Sequence, residues 1–155
     1  MKLLFICTAN CSRSAMAEAY FKHLCKQNNL EQDVTSESAG INVPEEVIVP
    51  EEAQELMKNL ELTLEHHVPR QVSAEIVSGV DTIICMTKEQ ENFINENFKS
   101  EVLEEGNVRL LLSFVDNEDD IDDAHVGDME TFEHCFLTMM PALAALADRI
   151  IRSKH

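Results

Sequence analysis

Cys7 and Arg13 enclose a run of small, mostly polar residues: Cys7-Thr8-Ala9-Asn10-Cys11-Ser12-Arg13-Ser14. The run leaves a short apolar stretch and enters a segment with helical spacing. A loop of small residues in that position can turn successive backbone N–H groups toward one point, forming an anion nest. The helix N-terminus behind it adds positive potential and unpaired donors. Arg13 supplies a planar fork for two oxygens of a tetrahedral oxyanion. Thr8, Ala9, Asn10, Cys11, Ser12 and Ser14 are the candidate binding positions around that anion. Cys7 lies at the base of the cradle. A thiol beside a helix N-terminus and an arginine ionises more readily, and the thiolate is the nucleophile. Ser14 can donate its hydroxyl to that thiolate. Five intervening residues let the loop curl around one phosphate-sized group, with the nucleophile and the arginine on opposite sides. A chance Cys-x5-Arg-Ser/Thr match in a chain with five cysteines has a frequency of roughly 3%. The position between a first strand and a first helix is what makes the match specific.

The surrounding elements must hold this loop. Residues 2–7 read as a buried strand, and 14–28 as a helix with Ala17, Tyr20, Phe21, Leu24 and Cys25 on one face. Val34–Ser38 reads as a second strand, ended by Gly40. Pro50 suits the first turn of a helix whose apolar face is Ala53, Leu56, Met57 and Leu60. Residues 81–86 (Asp-Thr-Ile-Ile-Cys-Met) form a short, nearly continuous apolar run, as in a strand buried on both faces. Thr87 with Gln90 predicts a capping box opening the next helix. Val108–Leu112 is a fourth strand, followed by an acidic loop over 116–130. A last helix carries Phe132, Cys135, Phe136, Met139, Leu143, Leu146 and Ile150, with a kink expected at Pro141. Strands alternating with about five helices predict one α/β domain over 1–155. The expected architecture is a flavodoxin-like doubly wound four-stranded parallel sheet with helices on both faces. Such folds bind ligands at the carboxyl ends of strands, where the strand order switches.

Composition narrows the function classes. The chain has 155 residues, 45% of them hydrophobic, enough for a sizeable core. Its net charge of −17 argues against nucleic acid as a partner and opposes the approach of anions from a distance. Any bound anion must therefore be held locally. No uninterrupted apolar run approaches the length of a membrane span, and no membrane association is expected. The apolar start is too short for a signal peptide. Five cysteines without framework spacing suggest reduced thiols and a cytoplasmic protein.

The loop, continued by Met16-Ala17-Glu18-Ala19, resembles the active-site signature of the low-molecular-weight protein tyrosine phosphatases. Protein arginine phosphatases and thioredoxin-coupled arsenate reductases share that superfamily. The likeness extends through Ser38-Ala39-Gly40, His67-x-x-Arg70-Gln71 and Ile83-Ile84-Cys85-Met86. Asp123 stands nine residues before Phe132, as the family's general acid stands before a helical Phe. The resemblance implies hydrolysis of a phosphomonoester, protein phosphotyrosine first, or of a phosphoramidate. The substrate would be a phosphorylated protein or a small phosphorylated molecule. Cys7 would form a phosphocysteine, with Arg13 and the loop amides holding the equatorial oxygens. Ser14 would lower the thiol's proton affinity. Asp123 would protonate the leaving atom and then activate water. Asn10, Ser38 and His67 would form a polar network holding the loop. No cofactor and no metal is implied.

The sequence departs from that pattern in several places. The family's Gly before Asn is Ala9, and Ser12 and Cys11 stand where the family has its second loop cysteine and the preceding residue. Ala15 and Ala124 replace prolines, and His125 and Val126 replace the usual aromatic pair. The 43–46 loop, Val-Pro-Glu-Glu, lacks an aromatic wall. Asp120 and Asp122 are fallbacks for the acid. Cys11 either pairs reversibly with Cys7 or faces the substrate. Three other functions are consistent with some of these residues. An arsenate reductase needs relay cysteines, and none lies between 86 and 134. A non-catalytic phosphate-binding module is the second. A metal site from Cys7, Cys11 and histidines is the third, but it offers only one close ligand pair.

Overall fold

The computed structural model describes residues 1–101 and 106–154. Four strands, β1 (Lys2–Cys7), β2 (Thr35–Gly40), β3 (Thr82–Cys85) and β4 (Val108–Leu110), form one parallel sheet in the order β2-β1-β3-β4. The helices are α1 (Arg13–Gln27), α2 (Glu51–Asn59), α3 (Ala74–Ser78), α4 (Lys88–Asn97) and α5 (Met129–Ser153). The order switches beside β1: the chain moves outward to β2, then crosses back to β3 and β4. The segment leaving Cys7 therefore opens into the crevice expected for ligands of such sheets.

Alternation along β1 and β3 feeds two cores. Leu3, Phe5 and Cys7, with Ile84 and Met86, pack beneath α1, α2 and α5. Leu4 and Ile6, with Ile83 and Cys85, pack beneath α3 and α4. Phe5 meets Phe21 of α1 edge-on at 5.6 Å, which locks the strand before the loop to the helix after it. The predicted face of α5 is buried from Phe132 to Ile150, and Tyr20 packs edge-on against Phe136. By length and composition α5 is apolar enough to cross a bilayer, but its apolar face packs into the first core.

Several boundaries differ from expectation. The second strand runs Thr35–Gly40, starting one residue and ending two residues later than expected, because its register is set by pairing with β1 up to Cys7. The fourth strand stops at Leu110, and Leu111–Val115 turns into a 3-10 helix. Pro50 is the N-cap of α2 rather than its first-turn residue, and Leu60 lies past the helix end, 38% exposed. Pro141 lies within α5 without ending it. The short α3 has no counterpart in the sequence reading. The capping box opening α4 is formed as predicted.

Candidate active site

The loop from Thr8 to Ser12 sits on the carboxyl edge between β1 and α1. Its flanks are fixed by neighbours: the Ile41 N–H donates to the Cys7 carbonyl at 3.1 Å and the Asn42 N–H to that of Thr8 at 2.9 Å. Among the described residues, the backbone N–H groups of Ala9, Asn10, Cys11 and Ser12 donate to no backbone carbonyl. Ser12, the N-cap of α1, makes no side-chain cap, and no acidic residue lies in the first turn. The positive end of α1 is therefore left open toward the loop.

Cys7 is buried, and its Sγ lies 2.9 Å from Ser14 Oγ. Asn10 Nδ2 donates to that same hydroxyl at 2.8 Å, so the Ser14 proton is free to point at sulfur. Asn10 is itself held on two sides. Its Oδ1 accepts from the Arg70 N–H at 3.0 Å, and its carbonyl meets His67 Nε2 at 2.6 Å. A carbonyl only accepts, so Nε2 carries the imidazole proton in this contact. Asn10 has φ of 57°, the left-handed region that Asn tolerates better than most residues. The conformational demand at this turn thus falls on Asn10, and Ala9 replaces glycine without adopting a positive φ.

Ser38 stands beneath the loop without binding it. Its hydroxyl donates to Glu18 Oε1 at 2.6 Å, while its carbonyl accepts from Arg70 Nε at 3.0 Å. It supports the network through Arg70 and α1. Two further supports were missed by sequence reasoning. Gln90, 1% exposed, takes the Met86 and Thr87 N–H groups on Oε1 and donates from Nε2 to Thr8 Oγ1 at 3.2 Å. Its role in the capping box was legible, and its reach to Thr8 was not. Gly40 lies so close under the loop that a Cβ there would meet the Thr8 carbonyl at 2.5 Å.

Arg13 is buried, and its Nη1 donates to the Ile121 carbonyl at 2.8 Å. Its Nε is buried without a hydrogen-bond partner, the only such side-chain polar atom among the described residues. Asp123 Oδ1 stands 3.5 Å from that Nε on a side chain that is 59% exposed. Of the fallback aspartates, Asp120 instead accepts the Lys88 N–H at 2.8 Å, and Asp122 is exposed. The remaining thiols are unlike Cys7 in setting. Burial pushes Cys25 up to about 11 and Cys135 up to about 12, and raises Cys85 well above the ordinary thiol value. Half-buried Cys11 is also raised, by burial first and then by the neighbouring Cys7 and Asp123. No group of three or more metal-ligating side chains converges among the described residues.

The family model described as low molecular weight phosphotyrosine protein phosphatase matches residues 2–155. The chain belongs to that enzyme family. Curated relatives agree. The chain is 30% identical over 122 residues to the low molecular weight protein-tyrosine-phosphatase YfkJ of Bacillus subtilis, covering 77% of this chain and 76% of that one. It is also 30% identical over 98 residues to a protein-arginine-phosphatase of the same organism, covering 63% of each. Among solved structures, a YwlE mutant from Bacillus subtilis superposes with a TM-score of 0.87 at 26% identity, covering 97% of this chain and 98% of that one. The crystal structure of YfkJ gives 0.85 at 27% identity, covering 100% and 97%. Within this phosphatase family fold, the loop between β1 and α1 brings Cys7, Arg13, Ser14 and Asn10 together, and Arg13 links it to Asp123.

Proposed function

We propose that the chain is a phosphatase that hydrolyses a phosphomonoester, protein phosphotyrosine first, or a phosphoramidate, through a phosphocysteine on Cys7. The observation that carries this reading is Arg13 Nε, a buried cationic donor with no hydrogen-bond partner and only the exposed Asp123 carboxylate at 3.5 Å, set beside a loop whose amides donate to no backbone carbonyl. A buried unpaired donor costs free energy, and a bound tetrahedral oxyanion removes that cost.

The chemistry follows from the contacts. The Cys7 thiolate attacks phosphorus as the bond to the leaving oxygen or nitrogen breaks. Asp123, protonated, gives its proton to that leaving atom. Arg13 and the loop N–H groups meet the charge on the three equatorial oxygens. In the second step Asp123, now a carboxylate, takes a proton from water, whose oxygen displaces sulfur and releases phosphate. The Ser14 hydroxyl, aligned by Asn10, donates to the sulfur anion in both its attacking and its departing state. Splitting one displacement into two is the gain of covalent catalysis.

The nitrogen-linked alternative has its own support. The 43–46 loop carries no aromatic side chain, and the single Tyr is packed on Phe136, so neither supplies an aromatic wall to stack a phosphotyrosine ring. All five cysteines are free thiols, which fits a reducing compartment, and we place the protein in the cytoplasm. Phosphate release from p-nitrophenyl phosphate in the presence of a chelator tests the reading, followed by phosphotyrosine and phosphoarginine peptides. Turnover by the parent and none by Cys7→Ser is expected. Equal turnover by both would overturn the nucleophile assignment.

A further inference from the structure

The anion cradle lies between two loops of one charge sign. Parallel strands bring their following loops to one edge, and the order β2-β1-β3-β4 sets the loop after β2 on one side of the cradle and the loop after β4 on the other. The first, 41–50, contains Glu45 and Glu46 and no Lys, Arg or His. The second, from Asp116 to Asp128, contains seven carboxylates and no Lys or Arg. All nine belong to exposed residues, and among the described residues only Asp123 has an ion-pair partner, Arg13. Both loops are fixed to the cradle, through the Asn42 N–H on the Thr8 carbonyl and Arg13 Nη1 on the Ile121 carbonyl. The Gly127 N–H reaches Glu52 Oε1 at 2.7 Å, joining the acidic loop to the head of α2.

An isolated phosphate dianion must pass this rim, as well as the field of a chain carrying −17. A phosphoryl group set between positive charges meets the opposite situation. The cradle takes the anion, at the buried Arg13 Nε that lacks a hydrogen-bond partner, and the carboxylates attract the flanking cations. The same two loops expose apolar side chains, Ile48 at 81% and Val126 at 77%. Those give a polypeptide something to lie against, which a small phosphorylated molecule would not use.

Resting on the phosphatase reading above, we propose that the substrate is a phosphorylated protein segment with Lys or Arg on both sides of the phosphorylated residue. Glu45 and Glu46, in the loop after β2, would meet one flank, and Asp119 and Asp122, in the acidic loop, the other.

The test compares kcat/KM for peptides of one length that differ only in flanking Lys, Gln or Glu. Each is made in phosphotyrosine and phosphoarginine forms, and p-nitrophenyl phosphate is run alongside. The Lys peptide is expected to exceed the Glu peptide by about tenfold or more at low salt. In about 0.5 M salt the preference should shrink to within about threefold, because these charges are solvated. Glu45→Gln/Glu46→Gln and Asp119→Asn/Asp122→Asn, each read against its own p-nitrophenyl phosphate rate, should each lower the Lys-over-Glu ratio by about threefold. Equal kcat/KM for the three peptides, or turnover of p-nitrophenyl phosphate with neither peptide form accepted, overturns the proposal and leaves the phosphatase reading standing. No turnover of any substrate by the parent overturns both.

Discussion

Gly40→Ala tests how the loop is held without touching any group that reacts. The Cβ would stand 2.5 Å from the Thr8 carbonyl oxygen, 2.7 Å from Val43 Cγ2 and 3.0 Å from the Asn10 nitrogen. Val43 can swing aside, but the other two atoms are backbone of the loop itself. Ordinary contact begins near 3.4 Å, so Thr8 and the strand end must separate by roughly 0.9 Å. Gly40 cannot retreat freely, because its N–H donates to the Arg70 carbonyl at 2.9 Å and its carbonyl accepts from the Val72 N–H at 2.8 Å. The loop is the softer partner and should move. Overpacking of this kind costs about 1–3 kcal/mol of stability, and about 2–4 °C in Tm per kcal/mol at this size. Misplacing the Cys7–Arg13 loop by that distance should lower kcat/KM on p-nitrophenyl phosphate by about 10²-fold. Gly79→Ala is the control, since its nearest atoms would lie at 3.6 Å and its φ is negative. Thermal melts and steady-state rates on both variants give the answer. Parental kcat/KM in Gly40→Ala, with a parental melt, would refute the claim that Gly40 is required for close approach of the loop.

Four further outcomes follow from the same contacts. Asn10→Gly keeps the left-handed turn but removes the bonds to Ser14 and Arg70; kcat should fall by about tenfold or more, and Asn10→Ala should be the less stable of the two in urea melts. Asp123→Asn should flatten one limb of the kcat pH profile and affect poor leaving groups more than p-nitrophenolate, which pH–rate curves on two aryl phosphates would show. Glu37 is partly buried, which raises its pKa, yet bonds and charges from Lys2 and Arg70 outweigh this and hold the carboxyl below its ordinary 4.5. A depressed folded value means its stabilisation is present above 4.5 and lost as pH falls through the folded value; Glu37→Gln should therefore show a shallower loss of Tm below that pH, by well under about 1 kcal/mol because the group is partly solvated. Iodoacetamide at neutral pH should label Cys7 first and be slowed there by inorganic phosphate, while Cys25, Cys85 and Cys135, buried with raised pKa values, stay unlabelled by peptide mapping.

The candidate loop was legible because its parts are consecutive: Cys7 to Ser14 is one short segment, and its flanking periodicities place it between a strand and a helix. Asp123 was legible only by its spacing to Phe132, and its approach to Arg13 depends on the path of the acidic loop. What supports the loop from beneath comes from distant chain positions. Gln90 on Thr8, Arg70 on Asn10, and Glu18 taking the Ser38 hydroxyl are pairings that only the packed sheet creates. Ser38 was expected in a polar network holding the loop; its hydroxyl donates to Glu18 and its carbonyl accepts from Arg70, whose own N–H bonds Asn10. The boundaries that moved did so for local reasons. Leu111 and Leu112 extend an apolar run but follow a 3-10 path into the core, and α3 is only five residues, too short to show a period. Its Ser73 cap, accepting from the Ile76 N–H, was the signal present in the sequence.

The central claim is that phosphate passes through a covalent bond to Cys7. A denaturing quench during steady-state turnover, under mildly basic conditions that preserve a thiophosphate, followed by peptide mapping, measures this directly. A phosphoryl adduct on the peptide bearing Cys7, present during turnover and enriched in a variant slowed in the second step such as Asp123→Asn, is the expected result. Rapid turnover with no adduct at Cys7, or with the adduct on another residue, would contradict the mechanism.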